Sequence, residues 1–154
     1  MMNPVRSSAK AIIIDKGKLL AIMHRDEDEI WFSLPGGGQE PGETLVRSLE
    51  RECLEELGVE VEVGRLRFVR EYIGRNHEFA AHDYNDHQLD HFFECVLLGD
   101  QSCGLPANPD SNQIGVSWLP IQNLDEYRLY PRVLTGLLMN SHGSPELAYL
   151  GDVN

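Results

Sequence analysis

Between Leu34 and Val59 the chain places three consecutive glycines, Gly36, Gly37 and Gly38, ahead of six glutamates: Glu40, Glu43, Glu50, Glu52, Glu55 and Glu56. Like charges on neighbouring helix turns repel, so the crowding of Glu52, Glu55 and Glu56 needs a cause. At roughly 100° per residue, Glu52 and Glu56 lie about 40° apart on a helix and Glu55 about 60° to the other side, so the three share one arc. A surface salt-bridge ladder is the plain reading, because Glu43, Arg47, Arg51 and Glu55 step by four. That ladder leaves Glu52 and Glu56 with no basic residue placed to pair both. Clustered carboxylate oxygens suit a hard divalent cation, and Mg2+ in phosphate chemistry binds through a few carboxylates plus the substrate. The glycines let backbone amides and carbonyls come close to a ligand, since no side chain stands in the way. The two features together describe a phosphate-handling site.

These residues need a scaffold. Residues 44–57 read as a helix, with Thr44 near its start, a glutamate in its first turn and Gly58 just past its end. Leu45, Leu49, Cys53 and Leu57 recur every four residues, and Val46 widens this packing stripe. Residues 11–15 and 18–24 are short apolar runs joined around Lys16-Gly17, a hairpin signal. Residues 30–35 read as a strand ended by Pro35 and the glycines. Residues 59–73 alternate at period two and predict a strand, a break at Gly64 and a second strand. Residues 74–88 and 99–113 read as loops, 89–98 and 114–120 as strands, 130–140 as a late helix with Pro131 in its first turn, and the last residues as irregular. Strands on either side of a central helix give an α/β domain.

The chain has 154 residues, 42% hydrophobic and 25% charged, which suits one globular domain. We expect a single domain over 1–154, with its core at about 9–138. The net charge of -12 argues against a long nucleic acid as partner, because such binders need clustered Lys and Arg. It leaves room for a small phosphorylated substrate, since a bound metal reverses the local sign. Cys53, Cys95 and Cys103 include no C-x-x-C pair, so a reducing compartment is expected. The start has no apolar signal segment, and no run is long enough for a membrane helix. A cytoplasmic protein without a membrane partner is the expectation.

The glycine–glutamate segment resembles the Nudix box, G-x5-E-x7-R-E-U-x-E-E-x-G-U, where U is aliphatic. Gly37, Glu43, Arg51, Glu52, Glu55, Glu56, Gly58 and Val59 match at the required spacing, and Cys53 stands where an aliphatic residue is usual. The resemblance implies an α/β/α sandwich around a mixed sheet, and a hydrolase that uses Mg2+ or Mn2+ to cleave a nucleoside diphosphate linked to another moiety. It implies Glu52 and Glu56 as principal metal ligands, with the carbonyl of Gly36. Glu55 joins them or orients the attacking water and is the first choice as base. Arg51 holds the glutamates and Glu43 braces the box. Family members often dimerise, so a homodimer is an option, though nothing in the sequence marks an interface.

Other residues carry weaker signals. Trp31 or Phe32 stacks on a base or packs in the core, according to which faces inward. Arg70 offers a fork for a phosphate and equally a surface position. His77, His82, His87 and His91 crowd together, but their spacing matches no zinc signature. His91 shares a strand face with Leu89, Phe93 and Cys95, which points to a hydrogen-bonded histidine; it is also a candidate for the substrate pocket. Glu78, Asp83 and Asp86 are further candidates for the base, whereas residues 99–113 offer only Asp100 and Asp110 as acids. A second class of function is a non-catalytic sensor that binds a nucleotide. Such domains often lose box glutamates, and this chain keeps them all.

Overall fold

The computed structural model describes residues 1–99, 113–140 and 146–154. Strands β1 (Arg6–Asp15), β2 (Lys18–Asp26), β3 (Glu29–Ser33) and β4 (Gly36–Gly38) precede helix α1 (Leu45–Leu57). Then come β5 (Val61–Ile73), the four-residue helix α2 (Ala80–Asp83), β6 (His87–Leu97), β7 (Gln113–Pro120), β8 (Leu129–Tyr130), α3 (Val133–Met139) and β9 (Ala148–Asp152). One mixed sheet runs β8-β3-β2-β1-β6-β5-β9, with β4 added beside β1 and β7 beside β2.

The alternation of β1 explains the layering. Ala9, Ala11 and Ile13 pack on one face against Leu49, Cys53 and Leu57 of α1. Ile12 turns to the other face and joins Leu19, Phe32 and Phe92 under Leu124, Leu134 and Leu138, the last two from α3. Successive strand residues point to opposite faces, so a strand covered on both sides reads as a nearly continuous apolar run. Helices therefore lie on both faces, and the α/β/α reading holds.

Several local expectations change. Thr44 caps α1 by accepting from the Arg47 amide, so Glu43 lies before the helix and its first turn holds no acid. Val46 is exposed rather than part of the packing stripe. Gly64 does not break β5. A Cβ there would stand 2.9 Å from the Glu94 carbonyl oxygen, and register shifts between Val63 and Phe68 absorb the irregularity inside one strand. The three glycines form a strand, because β1 supplies the ladder that their sequence does not announce. Residues 146–154, expected to be irregular, contain β9, which pairs in parallel with β5. The cysteines Cys53 and Cys95 are buried; Cys103, Asp100 and Asp110 lie outside the described residues. No described helix is long and apolar enough to cross a membrane.

One feature of the topology makes room for a site. β1 and β2 pair only at Ile14–Leu19 and Asp15–Lys18. Beyond those two pairs, β1 takes β4 and β6 as neighbours, while β2 takes β3 and β7. The sheet forks, and a cleft opens between its branches.

Candidate active site

The site starts from the glycines. Gly36 has φ of +135°, a region that favours glycine, and a Cβ on it would stand 2.1 Å from the Ala9 carbonyl oxygen. Its amide donates to Glu56 Oε1 at 2.9 Å. A Cβ on Gly37 would lie 2.6 Å from the carboxyl carbon of Glu52. The missing side chain at position 37 is therefore the space in which the Glu52 carboxylate rests. The loop and the helix fit each other through two carboxylates.

Arg51 fixes this arrangement. Its Nε and Nη2 donate to the two oxygens of Glu43 at 2.8 and 2.9 Å, a forked pair. Nη1 donates to Glu52 Oε1 at 2.9 Å, Nη2 also reaches the Gly38 carbonyl at 3.2 Å, and Glu55 stands 3.6 Å from Nη1. The Arg51 guanidinium and the Glu40 amide hold the Glu43 carboxyl down at about 2. The surface ladder forms only in part: Arg51 meets Glu55 and Glu43, whereas Arg47 turns to Glu50.

Glu56 has a different environment. It is 6% exposed, and burial pushes its carboxyl up to about 7, against the Gly36 amide, which favours the charged form. Gln113 Nε2 donates to its second oxygen at 3.2 Å. Gln113 Oε1 is buried with no hydrogen-bond partner among the described residues. Glu55 is the most exposed of the three helix glutamates, with 41% of its side chain open.

The cleft at the fork has two chambers. The inner one, about 270 Å³, is lined by Lys10, Gly36, Glu56, Asp90 and Gln113 among others. The outer one, about 460 Å³, is lined by Trp31, Tyr72, Phe79, His82, Arg128 and Tyr130 among others. Trp31, Arg70, Gln88 and Tyr130 border both. Trp31 stacks on His24 with centroids 3.9 Å apart and meets the Tyr130 ring edge at 5.9 Å, while Phe32, its neighbour, turns into the core.

The structure thus brings Gly36, Glu52, Glu56, Arg51 and Glu43 together, with Trp31 and Arg70 across the cleft. Arg70 is held inside the protein. Its Nε donates to Asp90 at 2.8 Å and its Nη1 to the Val153 carbonyl at 2.7 Å, while Asp90 also accepts from the Ser8 hydroxyl. His91 sits on the α1 side of β6, where its Nδ1 lies 2.9 Å from the Ser8 carbonyl; it lines neither chamber. A carbonyl only accepts, so Nδ1 carries the proton there. The other histidines scatter. His77 bonds Asp152, and His87 bonds Glu71 at 2.9 Å. Asp83 accepts from the Tyr72 hydroxyl at 2.9 Å beside the outer chamber. Among the described residues no three His, Cys, Asp or Glu side chains form a ready-made cation cage. Sequence reasoning missed Lys10 and Gln113. Lys10 had a signal, a single cation inside the apolar run of β1; Gln113 had none.

A model of the NUDIX domain matches residues 4–135. The chain belongs to the NUDIX family, and with it to the Nudix hydrolases. Among solved structures, a NUDIX hydrolase from Nitrosomonas europaea is similar at a TM-score of 0.71 and 24% identity, covering 100% of this chain and 81% of that one. An ADP-ribose pyrophosphatase from Streptococcus suis is similar at 0.65 and 20% identity, covering 96% and 98%. A MutT protein from Methanosarcina mazei is similar at 0.67 and 21% identity, covering 90% and 93%. No curated protein matches the chain.

Proposed function

We propose that this chain is a divalent-cation-dependent pyrophosphohydrolase that cleaves a nucleoside diphosphate joined to another moiety. The supporting observation is the fit of loop to helix: the Glu52 carboxylate fills the space of the absent Gly37 side chain, and Glu56 is held on the Gly36 amide at the floor of a cleft. Glu52, Glu56 and the Gly36 carbonyl would hold Mg2+ or Mn2+, with Glu55 beside them. The donor set is all oxygen, which is what these hard cations take. A buried carboxylate raised to about 7, next to the charge of Glu52, also fits a cation that draws it back to its ionised form. When bound, the cation neutralises diphosphate oxygens and lowers the pKa of water.

This chain's residues do the rest. Arg51 keeps Glu52 pointed at the loop, and Glu43 keeps Arg51 in place. Glu55, the most open carboxylate, takes the proton of the attacking water. The water oxygen bonds to phosphorus, the bridging P–O bond breaks, and the departing phosphate keeps its electron pair. Trp31, which stacks on His24, and Tyr130 line the outer chamber with aromatic surface suited to a nucleobase. Two adjoining chambers suit a substrate with a group on each side of its diphosphate, such as ADP-ribose, as well as an oxidised nucleoside triphosphate.

Glu56→Gln tests this reading. The variant should keep its fold by circular dichroism and lose turnover of ADP-ribose or 8-oxo-dGTP by about a hundredfold or more. Millimolar Mn2+ should raise the wild-type Tm and leave the variant's Tm unchanged. Wild-type turnover in the variant would remove Glu56 from the mechanism.

A further inference from the structure

Among the described residues Lys10, Arg70 and Arg128 bring cationic side chains to the cleft, and the two arginines are committed. Arg70 is tied to Asp90 and the Val153 carbonyl, and Arg128 to Glu29 and the Tyr130 hydroxyl. Lys10 lines the inner chamber and makes no side-chain hydrogen bond or ion pair with a described residue. Its position is set by the backbone. On β1 it pairs with Gly36 on one side and Phe92 on the other. By strand alternation its side chain shares a face with Ser8, whose hydroxyl reaches Asp90 in the cleft wall. Its charge favours the ionised form of the Glu56 carboxyl. Lys10 shares that face with Ile12, which is buried in the second core layer, so it is a cation at the edge of an apolar face.

We propose that Lys10 is a substrate-binding residue: its ammonium holds a non-bridging oxygen of the diphosphate in the inner chamber, from the β1 side. This assignment rests on the function proposed above and deepens it. Glu52 and Glu56 would hold a cation from the α1 side. A diphosphate lying in the cleft also presents oxygens toward β1, and among the described residues Lys10 is the uncommitted cation of that chamber. An ammonium beside a cation site repels the cation and attracts the anion. Its removal therefore has opposite effects on the two. That separates ligand binding from a purely structural role, in which Lys10 only balances Glu56.

The test uses imidodiphosphate, a base-free and slowly cleaved analogue of pyrophosphate, so the outcome does not depend on the nucleobase. Its affinity for the Mg2+-loaded full chain is measured by calorimetry for wild type, Lys10→Met, Lys10→Gln and Lys10→Arg. Separately, Mn2+ is titrated into each protein without imidodiphosphate. Loss of one charge-assisted hydrogen bond should weaken imidodiphosphate binding about tenfold in both neutral variants. Lys10→Arg should stay within about threefold of wild type, and Mn2+ affinity in the neutral variants should stay level or tighten. Circular dichroism identifies the folded variants, and Lys10→Gln carries the comparison if Lys10→Met does not fold. Unchanged imidodiphosphate affinity in folded neutral variants, or a parallel fall in Mn2+ affinity, overturns the assignment while the hydrolase reading stands. A wild type that binds no Mn2+ at all overturns both.

Discussion

Arg51 reaches more of the site than any other side chain: Glu43, Glu52, Glu55 and the Gly38 carbonyl all lie within its fork. The pair with Glu43 gives a pH signature. The Glu43 carboxyl sits at about 2 in the fold against 4.5 as its ordinary value. A folded value below the unfolded one means that the unfolded chain binds the proton more readily. The stabilisation is therefore present above about pH 4.5 and is lost as the pH falls through about 2. Glu43→Gln removes this contribution. Its Tm should lie below wild type near neutrality, and the gap should close as the pH drops through that window. Tm curves that stay parallel from neutral pH down to about 2 would mean that the pair does not stabilise the fold. The clustering of Glu43, Arg51, Glu52 and Glu56 was legible in the sequence because it depends on spacing along one loop and one helix. Lys10 and Gln113 were not, because they reach Glu56's neighbourhood from strands distant in sequence.

At the level of elements, the site is a contact between β4 and α1. The glycine run was legible as a permissive loop, and the helix as a helix with a C-terminal Gly58, which adopts a φ of +71°. What spacing could not show is that Gly37 is empty so that Glu52 can occupy its side-chain space. Gly37→Ala tests that relation. The clash falls on the end of a flexible side chain, at 2.6 Å from its carboxyl carbon, so the helix survives and the carboxylate moves. The variant should stay within a few degrees of wild-type Tm, about the shift of 1 kcal/mol or less. Turnover and Mn2+ affinity should fall about tenfold or more. Full activity with alanine at this position would show that the glutamate does not need the space. The strand β9 illustrates the opposite case. Its sequence carries little pattern, and it forms because β5 offers an open edge in register with Phe68 to Glu71. An edge partner is a tertiary fact, which local propensity does not contain.

For the whole molecule, the order of strands and helix indicated an α/β domain, and helices on both faces of a mixed sheet were what the resemblance to the Nudix box implied; the two core layers on either side of β1 agree with it. The fork was not legible. It depends on β1 exchanging β2 for β4 after two residue pairs, a choice of partner rather than of local structure. That exchange joins the glycine strand to the carboxylate helix and opens the cleft between the branches. We propose that this cleft cleaves a diphosphate with the help of a cation. The most direct measurement is product release from 8-oxo-dGTP, ADP-ribose, nucleotide sugars and dinucleoside polyphosphates, each with Mg2+, with Mn2+ and with excess chelator. At least one of them should release a nucleoside monophosphate with either cation, and none should release product under chelator. Cleavage that continues under chelator, or metal binding without cleavage of any of them, would contradict it; the second result is what the sensor reading requires.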